Sequence, residues 1–203
     1  CQVNADDVGI TFHNASGSIS DTTVIGGNTG ILLRQGSAPE VNGNTVTETT
    51  LQGIACENGS APSIENNILS GSIGTGIDCT HDPLITSNSV TGFEIGLSLR
   101  SGLALVTNNT VVGASAIGIH VSSTTRNDYP TIRANTVAQG GGTGVTFEWT
   151  GGTLESNVIT GNSGAGVEIE GGFEDFLNPV LLDHPVILAN SIVGNSEQGV
   201  YIW

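Results

Sequence analysis

The sequence predicts an all-β chain: a right-handed parallel β-helix solenoid with three short strands per coil and about nine coils of ~22 residues. Three observations lead there. A Gly that opens an apolar-alternating segment recurs nine times, an Asn recurs 8 or 9 residues before it, and five of six prolines share one position relative to that Asn.

The first strand is marked by Gly9, Gly30, Gly53, Gly76, Gly96, Gly118, Gly144, Gly166 and Gly199, in segments such as GILL, GIDC and GVEI. Their alternation is the period of a strand with one face buried. The corner before the third strand is marked by Asn44, Asn67, Asn88, Asn109, Asn135, Asn157 and Asn190, with Thr22 in the first coil. Asn tolerates a left-handed backbone, and its amide can bond to the Asn one coil away, so a ladder is expected. From Gly to this slot the distance is 12 to 14 residues, except 17 after Gly118 and 24 after Gly166. One arc of each coil is therefore constant in length, and the other accepts insertions at 122–129 and 170–184. The second strand carries Ile19, Val41, Ile64, Ile85, Val106, Ile132, Leu154 and Ile187, three residues before the slot, and Pro39, Pro62, Pro83, Pro130 and Pro185 stand two residues earlier. Pro is tolerated at the head of a strand because its missing N–H falls outside the ladder. The third strand centres on Val24, Val46, Leu69, Val90, Val111, Val137, Ile159 and Ile192. One coil cannot bury its own apolar side, so stacked neighbours must cover it.

Composition narrows the function classes. A net charge of −15 with four Arg and no Lys argues against nucleic acid, which needs a basic footprint. No apolar run reaches the ~20 residues of a membrane span. Abundant Ser, Thr and Asn without Lys suggests an extracellular or cell-surface protein. Phosphate loops and zinc spacings are missing.

A Gly-Ile/Val strand with Asn-Thr-Val or Asn-Ser-Val at the corner resembles the right-handed parallel β-helix repeats of the pectate-lyase-like superfamily. The resemblance covers essentially the whole chain and implies fold more than function, since that fold hosts lyases, hydrolases, epimerases, adhesins and non-catalytic surface proteins. It also implies that an active cleft, where there is one, lies on the outer face of the Gly-Ile strands.

Two outward columns can be written for that face. One runs Thr11, Leu32, Ala55, Asp78, Ser98, His120, Thr146, Glu168, Tyr201, and the next His13, Arg34, Glu57, Thr80, Arg100, Ser122, Glu148, Glu170, Trp203. Asp78, Arg100 and His120, with His81 and Asp82 just beyond the strand, form the candidate catalytic set: a base to take a proton from a uronic acid and an Arg to hold its carboxylate. An ordinary solvated sheet face accounts for the same residues. Neither the Arg or Lys base with Ca²⁺ of the superfamily's lyases nor the aspartate cluster of its hydrolases is complete. His81-Asp82-Pro83 resembles, in different order and length, the Asp-Pro-His-Asp stretch of alginate epimerases, and no residue role is carried across. Glu148, Glu168 and Glu170 are a candidate Ca²⁺ site, because stacked carboxylates repel unless a cation bridges them; splaying into water is the alternative. Phe173, Phe176, Tyr201 and Trp203 are candidates for stacking on sugar rings or for simple packing.

Thr rows on the third strand, including Thr23, Thr45, Thr110 and Thr136, resemble an ice-binding face but are broken by Ile25, Ile68, Val112 and Val158. Cys56 and Cys79 share an inward slot on adjacent coils and are expected as stacked thiols or a disulfide. Cys1 suits a cross-link or a lipid attachment. Both ends are expected to be uncapped, with Val3, Val8, Val200 and Ile202 on inward ladders, which favours head-to-tail self-association or flanking domains. The function expected is a non-catalytic extracellular scaffold or assembly module. The alternatives are a carbohydrate-active module (uronan lyase, epimerase or hydrolase) and a glycan- or ice-binding module.

Overall fold

Parallel stacking governs the whole chain. The computed structural model describes residues 1–100, 102–123, 129–171 and 185–203, and among these residues all regular structure is strand. Three sheets of nine, eight and nine strands form a three-sided β-helix. The first sheet runs from Val8–His13 to Val200–Ile202, the second from Ser18–Ser20 to Val186–Leu188, and the third from Gln2–Ala5 to Ser191–Val193. Each strand pairs in parallel with its equivalent one coil away, as in Val41↔Ile64, Val90↔Val111 and Leu97↔Ile119.

The core is the sum of the inward columns. Ile31, Ile54, Ile77, Leu97 and Ile119 from the first sheet, Val41, Ile64, Ile85 and Val106 from the second, and Val46 and Leu69 from the third are fully buried. The recurring glycine exists because of this packing. A Cβ on Gly96 would lie 2.3 Å from Val111 Cγ1 and 2.5 Å from the Gly118 carbonyl oxygen, and Gly30 and Gly76 are equally crowded by Val46 and Val90. The third-strand aliphatic of each coil fills the space that a side chain would need. The prolines close the second corner: Pro62, Pro83 and Pro130 each immediately precede a second-sheet strand, and each carbonyl accepts from the next coil, as with Leu84 N–H to Pro62 at 3.0 Å. Cys56 and Cys79 are in register, fully buried and joined as a disulfide, the second of the two expected outcomes.

The asparagine ladder forms, with one change from expectation. Asn67 Nδ2 donates to Asn88 Oδ1 at 2.9 Å, Asn88 to Asn109 at 2.9 Å and Asn109 to Asn135 at 3.0 Å. The left-handed backbone, however, falls on the residue before each ladder Asn: Asp21, Gly43, Asn66, Ser87, Asn108, Ala134, Ser156 and Ala189. The turn is made there, and the Asn side chain is thereby directed inward. A second, shorter ladder lies at the corner leading to the first sheet, where Asn162 donates to Asn195 Oδ1 at 2.9 Å.

Val8 also departs from expectation. It pairs with Thr29, in an outward column of residues preceding the glycines, and the inward position at that end belongs to Ile10, which packs against the core. The glycine interrupts the in-out alternation, so the residue before it and the residue two after it share the outer face.

Two outcomes check this register. Val90 is 1% exposed and Thr91 is exposed on the same strand. Val90→Asp should abolish the cooperative unfolding transition, because it strands a carboxylate in the core, whereas Thr91→Asp should shift the urea midpoint little. Asn109→Ala removes the acceptor for both the backbone N–H and the amide of Asn88. It should cost on the order of 3 kcal/mol in urea denaturation, from the buried Asn88 N–H left unpaired and the lost bonds of Asn109 Nδ2 to Ile85 and Asn135. The partly buried Asn190, Asn157's partner near one end of the ladder, should cost less when replaced by Ala.

Candidate functional site

The outer face of the first sheet is assembled by stacking, so residues 20 to 26 apart in sequence become lateral neighbours. Its central column is as the repeat predicts, Asp78↔Ser98↔His120↔Thr146↔Glu168 in register, and the next column places Thr80↔Arg100↔Ser122↔Glu148↔Glu170 beside it. The centre of the strip is small and well covered: Ala55, Ser98 and Thr146 are all buried.

The candidate catalytic set divides into two pairs. Arg100 Nη2 donates to Asp78 Oδ2 at 2.7 Å, and the same oxygen accepts from Gln52 Nε2 at 2.8 Å. The carboxylate side chain is 10% exposed while the guanidinium is 51% exposed, so the pair is a buried anion steadied by a cation at the rim. Asp78 Oδ1 is buried and has no hydrogen-bond partner. His120, one coil past Ser98, turns the other way and places Nε2 2.9 Å from Glu148 Oε2. Asp78 and His120 are thus two strand spacings apart, roughly 10 Å, and each is satisfied by a different neighbour.

His81 and Asp82 do not join either pair. His81 is exposed, has φ of 80° and contacts its own neighbour Thr80. Asp82 Oδ1 accepts the Leu103 backbone N–H at 2.5 Å, an anchoring bond between adjacent coils. The expected Ca²⁺ ligands are likewise distributed. Glu148 faces His120, while Glu168 accepts from Thr143 Oγ1 and Trp203 Nε1, each at 3.2 Å. Among the described residues no group of three or more His, Cys, Asp or Glu side chains is placed to hold a metal ion. Of the four aromatics, Tyr201 and Trp203 are exposed on this face, and Phe173 and Phe176 lie outside the described residues.

Gln52 was missed from sequence. A strict alternation placed the residue before each glycine on the inner side, yet Gln52 and Thr143 reach outward to Asp78 and Glu168. The crowding at the glycines, visible as an invariant Gly beside a β-branched third-strand column, was the available signal.

The chain can now be set beside known proteins. Residues 77–203 match the model described as "Right handed beta helix region", and residues 1–115 match that of "Periplasmic copper-binding protein (NosD)". Among curated proteins, none matches the chain. Among solved structures, a single mutant of the periplasmic alginate epimerase AlgG aligns with TM-score 0.68 and 19% identity, covering 93% of this chain and 49% of that one. A double mutant of the same enzyme gives 0.60 and 18% over 93% and 49%, and the unaltered enzyme 0.56 and 17% over 92% and 50%. The chain therefore spans about half the length of these structures. The copper of the NosD description finds no matching donor set among the described residues, since Cys56 and Cys79 are spent on one another. No helix of the described residues is long and apolar enough to cross a membrane. With more than half its length matched by the β-helix model and the same three-sheet register throughout, the chain belongs to the right-handed β-helix family.

Proposed function

We propose that the chain is a scaffold on the extracytoplasmic side that holds a neutral polysaccharide along the outer face of its first sheet. The observation that carries this reading is the strip itself. The outward side chains at its centre, Ala55, Ser98 and Thr146, are small and leave a flat row, bordered by the partly exposed hydroxyls of Thr80 and Ser122, against which a sugar chain can lie. Successive coils repeat at ~4.8 Å, so a chain of sugars laid along the rod meets a similar surface at every step.

Charge favours a neutral ligand over an acidic one. The protein carries −15, and Arg100, the cation expected to hold a uronate, is already offset by Asp78. The periplasmic names of both the NosD and AlgG relatives support an extracytoplasmic setting, and the AlgG likeness supports a carbohydrate-related one.

A catalytic reading has one specific observation behind it, the 2.9 Å contact between His120 and Glu148. A carboxylate that orients an imidazole is the arrangement of a general base.

Affinity electrophoresis tests both readings. Neutral polysaccharides such as a soluble β-glucan should retard the protein, and Ser98→Trp, which fills the centre of the strip, should abolish the retardation with the fold retained. No retardation by any neutral polysaccharide, or retardation that survives in Ser98→Trp, sinks the binding reading. Turnover of alginate or polygalacturonate by the unaltered chain, lost in His120→Ala, would replace it by the catalytic one.

A further inference from the structure

The chain has two tryptophans, Trp149 and Trp203, and stacking brings both to one end of the first-sheet outer face. Trp149 follows the strand Thr143–Glu148, and its backbone N–H donates to the Glu170 carbonyl one coil on at 3.0 Å. Its ring crosses to that coil: a Cβ placed on Gly171 would lie 2.9 Å from Trp149 Cζ3. The Gly171 N–H donates in turn to the Trp203 carbonyl at 3.0 Å. One glycine therefore lies against one indole and is bonded to the residue that carries the other. Trp203 Nε1 donates to Glu168 Oε1 at 3.2 Å, which holds that indole against the outer face, and Tyr201 pairs with Glu168 in the outward column. Trp149, Tyr201 and Trp203 are 41%, 41% and 58% exposed. Tyr201 and Trp203 flank Ile202, which is in register with the buried Ile169, so their outward direction is set by the pleat. A further coil stacked beyond them would leave that direction unchanged.

The charge around these rings is of one sign. Glu170 stands in register with Glu148, on the coil between the two tryptophans, and its side chain takes no hydrogen bond or ion pair among the described residues. Glu168 accepts from the Trp203 indole. No Lys or Arg follows Arg133, and His120, the nearest basic side chain in these columns, is already turned to Glu148.

These features select among ligands. An anion would be repelled by Glu168 and Glu170. A hard metal ion finds no group of three or more acidic, His or Cys side chains placed to hold it among the described residues. A neutral sugar would gain from the rings and nothing from the charge. An organic cation gains from both: indole is the ring whose face attracts a cation most strongly, and an anionic acceptor on the indole N–H adds to the electron density of that face. A methylated ammonium also sheds its weakly held water more readily than a primary amine, so it suits an aromatic surface. We propose that this end of the first sheet binds a small organic cation with a quaternary or methylated ammonium group, held against the Trp149 and Trp203 indoles beside the Glu170 carboxylate.

The two indole N–H signals of the ¹⁵N-labelled full chain provide the test, since both belong to the site. They are followed by NMR during titration with tetramethylammonium and with choline. The control is 3,3-dimethylbutan-1-ol, the uncharged carbon analogue of choline. Both cations should shift both signals to saturation, and the neutral analogue should bind about ten-fold more weakly. Trp203→Ala, read at the remaining Trp149 signal, should weaken choline binding about five-fold with the urea midpoint retained. Glu170→Gln should weaken it as well and flatten its dependence on salt. Equal binding of choline and its neutral analogue would make the site an apolar patch and overturn the proposal. So would indole signals that respond to a soluble β-glucan oligosaccharide and to neither cation, or that respond to nothing.

Discussion

A buried carboxamide at one corner of each coil ties that coil to both its neighbours, and the rest of the structure depends on the register it enforces. Asn109 is representative. Its Oδ1 accepts from the N–H and the amide of Asn88, while its own Nδ2 donates to the next ladder residue, Asn135, and to the Ile85 carbonyl of the preceding coil. The side chain is 1% exposed, so water cannot replace a lost partner. A slip of one residue would leave several buried polar groups unpaired at every corner at once. A one-residue slip would also turn the inward aliphatic columns out to solvent, so the ladder and the core specify the same register.

Register then decides chemistry. Because like positions stack, a charge in one coil is answered or opposed by the residue one coil away. Asp78 finds Arg100 in this way, and His120 finds Glu148 from the coil beyond. In a protein of charge −15, such lateral pairing is how a nearly buried carboxylate is kept on an open sheet face. It also means that the two arginines on this face are not equal: Arg100 is committed to Asp78, while the Nε of Arg34 is buried and unpaired.

Irregularity is as informative as the repeat. The corners at 48–51 and 71–74 are both four residues long, yet Ser72 and Ile73 donate no backbone hydrogen bond across the junction, and an open cleft lies between residues 47–50 and 70–73. The same corner in the fifth coil holds Phe93, fully buried against the space left by Gly71 and Gly76. The rod's flank is thus filled at one corner and open at another.

The three-strand coil, the inward columns, the Asn ladder and the outward order of Asp78, Ser98, His120 and Thr146 were legible in the sequence, because each follows from spacing alone once one landmark per coil is known. Spacing places a residue in a column but does not say which neighbour its side chain will choose. Arg100 could reach along its column or across to Asp78, and His120 toward Asp78 or Glu148; only the packed geometry decided both. The turn conformation at Ser87 or Ala134 rather than at the ladder Asn, and the outward reach of Gln52, were likewise hidden. Both arise where the chain bends, and a bend breaks the alternation on which sequence reading relies. The cleft at Ser72 and Ile73 had no signal in the repeat, since a cavity is made by how two adjacent corners fail to meet, and that is a property of coils in contact rather than of either segment.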